Sequence, residues 1–169
     1  RAELNFPISN LRLGRSFVKA IGQIKQSAAV VNLDLGEIEE GIGNAIISAS
    51  QRVIDGEFDD QFVVDVFQTG SGTSTNMNAN EVISNVAIQS LGGDLGSRDP
   101  IHPNDHVNKG QSSNDVFPST VHLAAAGAIQ DSLLPALTQL EHSLRNKSDE
   151  FWGIVKTGRT HLQDATPIR

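Results

Sequence analysis

The chain has 169 residues, 38% of them hydrophobic and 20% charged, which suffices for a packed core and excludes a disordered tail or a collagen-like repeat. With 13 Lys and Arg against 20 Asp and Glu, the net charge of −7 and the lack of any basic run exclude a general nucleic-acid or anionic-membrane surface. There is no cysteine, hence no disulfide, thiol nucleophile or thiolate metal site, and no apolar stretch reaches the ~20 residues that span a bilayer.

The first predicted helix carries Phe17, Ile21, Ile24, Ala28, Val31 and Leu35 at alternating spacings of four and three, after a cap at Ser9 or Asn10. Ile38, Ile42, Ala45, Ala49 and Val53 repeat the pattern until Asp55-Gly56 stops it. The short join at Asp34-Leu35-Gly36 favours antiparallel packing of the two. Phe62, Val63, Val64, Val66 and Phe67 are β-branched and aromatic in a run too short for a helix, which predicts a brief buried strand or an extended segment leading into a polar loop. A third helix follows through Met77, Ile83, Ala87 and Leu91 and ends at Gly92-Gly93. Residues 94 to 113 hold Gly, Pro, Asn, Asp and Ser without apolar period and read as one long loop, a length usual for functional segments.

From Asn114 to about Phe151 the helical pattern returns, with Pro118 in a first turn and a stripe of Leu133, Leu137, Leu140 and Leu144. Such a helix approaches ~50 Å, kinks at Pro135, and needs partner helices to cover its stripe. His122 and His142 within it read as packed or solvated. Residues 154 to 163 form a short connection. The chain begins at Arg1 without methionine and stops two residues past Pro167, where Thr166-Pro167 reads as the opening of another helix, so a piece of a longer protein is expected.

Three polar segments lie before helices or where one would begin: Gly70 to Thr75, Gln111 to Asp115, and Gly158-Arg159-Thr160-His161. Helix N-termini offer unpaired N–H groups and a partial positive charge, and Ser, Thr and Asn add donors, so together they suit a carboxylate. The plain alternative for each alone is N-capping. None fits a nucleotide phosphate loop, because Gly70 to Thr75 lacks GxxxxGK and Gly92 to Gly96 lacks GxGxxG. His102-Pro103-Asn104-Asp105-His106 brings two imidazoles and a carboxylate within five residues. Its proline and loop composition nevertheless argue against a helical pair facing one ion, and no further ligand set accompanies it. His161 stands in an irregular segment beside Arg159, Thr160, Gln163 and Asp164, and histidine is the residue type suited to acid/base work; a solvated loop histidine is its plain alternative.

The run from Gln68 through Gly70-Ser71-Gly72-Thr73 to Val82 resembles that of the class II fumarate hydratases, in the aspartase/fumarase superfamily. Two further blocks agree in order, HPNDHVNKGQSSNDVFP from His102 and GRTHLQDATP from Gly158. The sibling aspartases carry Asn-Pro-Asn-Asp, Ser-Thr-Asn-Asp and Thr-Gln-Leu-Gln where this chain has His102 to Asp105, Ser112 to Asp115 and Thr160 to Gln163. All three differences favour the hydratase.

The resemblance implies a mainly α fold of aspartase/fumarase type, with residues 1–111 as a small N-terminal domain and 112–169 as the start of a central helical bundle. It implies reversible hydration of fumarate to L-malate without metal or organic cofactor, in a homotetramer whose active sites are shared between subunits. Ser71, Gly72, Thr73, Ser112, Ser113, Asn114 and Thr160 would bind substrate, and His161 would be the acid/base or water-orienting histidine. His102, Pro103, Asn104 and Asp105 match a second dicarboxylate-binding loop; an arginine of some relatives falls at Asp99, with Arg98 adjacent. The family's downstream Gly-Ser-Ser loop, and the lysine and asparagine after it, are not among the 169 residues. Lys109 and Arg159 are the few cations near the motifs, so the chain alone is expected to be inactive and to assemble imperfectly. The alternatives are an aspartate ammonia-lyase-like enzyme and a non-catalytic helical assembly scaffold. With no targeting segment visible, the expected compartment is the cytoplasm, a mitochondrial form that has lost its leader remaining open.

Overall fold

The first two apolar stripes fold as α2 (Arg15–Asp34) and α3 (Glu40–Asp55), after a four-residue turn of helix, α1 (Ala2–Asn5). The computed structural model describes residues 2–5, 8–67, 70–159, 161–162 and 164–168, with backbone alone at 2 and 3. After α3 come a 3-10 turn (Asp59–Gln61), α4 (Thr73–Ser90), a π-type turn (Pro103–Val107) and α5 (Ser113–Ala128). A second π-type turn (Ile129–Leu133), α6 (Leu134–Phe151) and two antiparallel two-residue strands, β1 (Lys156–Thr157) and β2 (Pro167–Ile168), complete the order. The chain is therefore mainly α. It divides into two compact units, Arg1–Gly127 and Ala128–Arg169.

In the first unit α2 and α3 pack antiparallel, and small residues set how closely. A Cβ on Gly22 would lie 3.0 Å from Ile54 Cγ1, while one on Gly43, at the other end of the pair, would lie 3.0 Å from Leu33 Cδ1. Arg15, in the first turn of α2, donates to the terminal carbonyls of α3 at Val53 (3.0 Å) and Ile54 and pairs with Asp59 at 2.8 Å. Carbonyls of the last helical turn lack i+4 donors, and although the Gly56 N–H also reaches Val53 O at 3.1 Å, the guanidinium adds a cap from outside. Gly56 ends α3 with φ of +92°, a conformation that glycine adopts without the Cβ penalty of other residues. The core joins Val18 and Ile21 of α2, Ile46 and Val53 of α3, and Ala79, Ile83, Ala87 and Ile88 of α4. Each fully buried aliphatic side chain of this kind contributes about 1.5–3 kcal/mol.

Several expectations need correction. Helix α2 begins at Arg15, with Gly14 as its N-cap and no side-chain cap, rather than beside Ser9 or Asn10. Ser9 instead donates its N–H to Asp65. Residues 62–67 form no strand: Phe62 is buried, but Val66 makes a single backbone bond to Leu11 (3.3 Å) and no strand lies alongside among the described residues. Asp65 interrupts the run by accepting the N–H of Phe67 at 2.8 Å and that of Ser9, so the backbone turns locally instead of pairing. Burial opposes the charged form of this carboxyl. The two N–H donors, with Arg12 beside them, outweigh that and hold it below the usual carboxylate range.

The stretch 94–113 is not one loop, since Pro103–Val107 makes a helical turn with Pro103 at its first position, where a missing N–H costs nothing. Pro118 lies inside α5 rather than in its first turn.

In the second unit the chain reaches Pro135 through the π-type turn. Leu134 donates to the carbonyl of Ile129, five residues back, a register shift that accommodates the donor missing at Pro135. The stripe of Leu133, Leu137, Leu140 and Leu144 is exposed. Pro167 opens β2, not a helix; Ile168 and Lys156 are register partners. No helix among the described residues is long and apolar enough to cross a membrane.

Candidate functional site

Two of the three polar segments are joined in the first unit. Gly72 caps α4 with φ of +77°, leaving the N–H groups of Thr73, Ser74 and Thr75 at the open end of the helix; the first α4 bond runs from Asn76 to Gly72. Ser112 does the same for α5: its carbonyl accepts from Asp115 and Val116, each at 3.0 Å, and its Oγ accepts from Asn114 N–H at 3.2 Å. Phe117, on α5, lies so close to the α4 terminus that a Cβ on Gly72 would stand 2.2 Å from its ring. The same ring packs on Phe17 of the core, centroids 5.4 Å apart. A side chain at position 72 would therefore push the two helix starts apart.

Asn76 makes the second tie, its Nδ2 donating to Ser113 Oγ at 3.1 Å. Ser71 and Thr73 face solvent with their hydroxyls 3.3 Å apart, Ser112 and Asn114 are exposed, and Gly72 and Ser113 are half-buried. Two helix N-termini, four hydroxyls and several backbone donors thus share one surface. Such a surface suits a small anion with two oxygens to satisfy.

Beneath it lies a polar node for which the motifs gave no indication. Lys25 of α2 is fully enclosed, its Nζ donating to Asn108 Oδ1 at 2.9 Å and to Gln111 Oε1 at 2.8 Å. Asn76 and Asn80, both fully buried, donate to the same Asn108 oxygen at 3.1 and 3.2 Å. Burial lowers the lysine from 10.5 to about 7. Its sequence signal was a charge on the core face of an amphipathic helix, four residues after Ile21 and seven after Val18, together with Asn76, Asn80 and Ser84 spaced by four.

Of the cations near the motifs, Lys109, and Arg98 beside the second loop, are engaged elsewhere. Lys109 pairs with Glu37 at 3.3 Å, and Arg98, at φ of +61°, donates to Glu81 at 3.2 Å.

The His102–Asp105 segment starts the π-type turn. His102 Nδ1 accepts the N–H groups of Asn104 and Asp105, each at 3.3 Å, and lies 3.1 Å from Asp105 Oδ2. His106 Nδ1 accepts from His102 N–H at 2.9 Å. Both Nδ1 atoms thereby serve the turn itself. Among the described residues no group of three or more His, Asp or Glu gathers as metal ligands. His122 and His142 are exposed.

The third segment begins no helix. His161 belongs to the second unit, exposed in the turn 161–162 that lies between β1 and β2, and Thr160 lies outside the described residues. Gly158 accounts for the closeness of this ribbon, since a Cβ there would meet Ile168 Cγ2 at 2.8 Å.

Residues 2–169 match a family model described as lyase. The whole chain is 57% identical to the class II fumarate hydratase of Halobacterium salinarum, covering 36% of that protein. Over 99% of its length it is 52% identical to the mitochondrial fumarate hydratase of Homo sapiens, covering 33% of it. The chain thus spans about a third of the length of these curated relatives. Among solved structures, fumarate lyase:delta crystallin from Brucella melitensis superposes with a TM-score of 0.93 at 46% identity, covering 99% of this chain and 39% of that one. The class II fumarase of Schistosoma mansoni gives 0.92 at 42% identity, covering 99% and 36%.

Proposed function

The chain belongs to the lyase family, and from that premise we propose that the protein carrying it is a class II fumarate hydratase, which adds water reversibly to fumarate to give L-malate. The observation that supports this most is the tie between two helix N-termini, where Asn76 reaches Ser113 at 3.1 Å and Gly72 lies against Phe117. In the reverse reaction the proton leaves a carbon next to a carboxylate, so a doubly charged aci-carboxylate develops there. Donors fixed in advance at that position stabilise the developing charge more than the reactant.

In this reading Ser71, Gly72, Thr73, Ser112, Ser113, Asn114 and Thr160 hold the dicarboxylate. His161 moves the proton or orients the water, contributed to a site shared between subunits of a homotetramer. Water supplies hydroxide to one alkene carbon and a proton to the other, so the balance needs no metal or organic cofactor. His102, Pro103, Asn104 and Asp105 form a second dicarboxylate site. Residues 1–111 act as the N-terminal lyase domain and 112–169 as the start of the helical bundle. The exposed Leu137, Leu140 and Leu144 supply a face that subunit association would cover, which sizing of the complete protein would report as a tetramer. We place the activity in the cytoplasm.

The test uses the complete reading frame that carries this chain. Added L-malate should produce the ultraviolet absorbance of fumarate, and His161→Asn should abolish it in folded protein. Ammonia from aspartate without fumarate from malate would replace the hydratase by its ammonia-lyase sibling. Neither activity in a folded tetramer would leave a scaffold.

A further inference from the structure

The carboxylate surface described above does not use Lys25, although few groups are dearer to enclose than an ammonium. This one is fully buried, and among the described residues it has amide oxygens but no carboxylate against it. Its consequence lies in the orientation of the amides around it. Nζ, as ammonium or as neutral amine, donates to both amide oxygens, so Asn108 turns its Oδ1, not its NH2, toward it. Asn108 Nδ2 then points to the Gln111 carbonyl, at 3.0 Å.

With the Asn108 oxygen facing inward, Asn76 and Asn80 must both present Nδ2 to it, at 3.1 and 3.2 Å. The second proton of Asn76 Nδ2 goes to Ser113 Oγ at 3.1 Å. Ser113 is therefore an acceptor on its inner side, and its own O–H proton is left for a partner on the open side. A reversed Asn76 amide would instead draw that proton inward. The forced orientation is visible in what it leaves behind: the Oδ1 atoms of Asn76 and Asn80 are buried with no hydrogen-bond partner among the described residues, a state that protein interiors otherwise avoid.

We infer that Lys25 is a positioning residue which, through Asn108 and Asn76, holds the Ser113 hydroxyl as a hydrogen-bond donor to a carboxylate of the bound dicarboxylate. The inference rests on the proposed reading of Ser113 as a substrate contact and assigns the group that sets its polarity. Lys25 touches no substrate. It acts by excluding the alternative amide arrangement, in which Ser113 would offer a lone pair to an anion.

A double-mutant cycle in the complete protein, read as KM and kcat for fumarate, tests this. Lys25→Met keeps the unbranched side chain up to its last atom and removes the donors; it should raise KM about tenfold with a smaller change in kcat, the range for loss of one hydrogen bond to a charged group. In a Ser113→Ala background the same substitution should change KM by less than about twofold, because the hydroxyl it orients is gone. Full multiplication of the two effects overturns the inference while leaving the hydratase reading in place. A Ser113→Ala protein with wild-type KM and kcat removes Ser113 from the site and overturns the inference together with the reading of Ser113 as a substrate contact, while the hydratase activity itself stands. Should Lys25→Met not fold, Asn76→Ala breaks the same relay without stranding a charge at the substituted position. Its effect on KM must likewise vanish in the Ser113→Ala background, and multiplication there overturns the inference equally.

Discussion

Replacing Gly72 by alanine should be far more damaging than one added methyl suggests. The residue sits at φ of +77°, where an L side chain costs about 1–2 kcal/mol. Its Cβ would also lie 2.2 Å from Phe117 Cγ. Phe117 is backed by Phe17, centroid to centroid 5.4 Å, and Phe17 is only 7% exposed, so the ring retreats into packed core and adds an overpacking cost of about 1–3 kcal/mol. The sum is about 2–5 kcal/mol. Gly70 supplies the control. It has φ of +70° but, among the described residues, nothing within 4 Å of its Cβ direction, so Gly70→Ala should show the backbone cost alone. Urea unfolding of both variants beside wild type measures the difference. Equal losses at the two positions, or a Gly72→Ala loss below about 0.5 kcal/mol, the range of an unremarkable surface change, would refute the claim that the two helix starts are in enforced contact.

Arg15→Ala removes the external cap on Val53 and Ile54 and the pair with Asp59, and should lower unfolding free energy by about 1–3 kcal/mol, with faster amide exchange confined to the end of α3. An unchanged thermal midpoint would contradict that. Lys25, which burial lowers from the ordinary lysine value of 10.5 to about 7, gives a pH dependence of definite sign. Above pH 7 the unfolded chain binds the extra proton, so unfolding free energy should rise between pH 7 and 9, by up to about 3 kcal/mol, and the rise should disappear in Lys25→Met. A flat profile in wild type would show that the amide oxygens stabilise the ammonium enough to offset its burial.

The fold was legible wherever apolar spacing and a glycine stop agreed. The stripes through Phe17 and Ile21 and through Ala45, Ala49 and Val53 gave α2 and α3, and Gly56 and Gly92 ended helices where their positive φ allowed it. Of the two readings of residues 62–67 the strand did not form, because β propensity counts side chains and overlooks Asp65, whose carboxylate competes for the local N–H groups. The start of α2 was misplaced because capping residues also serve distant partners, as Ser9 does with Asp65. The turn after His102 is hidden in a stretch that lacks an apolar period and is rich in Gly, Pro, Asn, Asp and Ser, although at a first helical position proline is favoured.

At the candidate site the motif residues stood out in the sequence, but the node that joins them did not. Asn108 and Gln111 lie 83 and 86 residues from the lysine they bind, and only folding reveals that Lys25 and Asn80 share one acceptor on Asn108. A lone lysine on an apolar helix face was the available clue, and reading only the apolar positions of that face passed over it.

The most direct measurement of the central claim is a crystal structure of the complete protein grown with a non-reacting saturated dicarboxylate. One carboxylate should lie within hydrogen-bond distance of the Ser113 hydroxyl and of the backbone N–H groups that open α4 at Thr73. A dicarboxylate bound elsewhere, with the surface between Gly72 and Ser113 occupied by solvent alone, would contradict it.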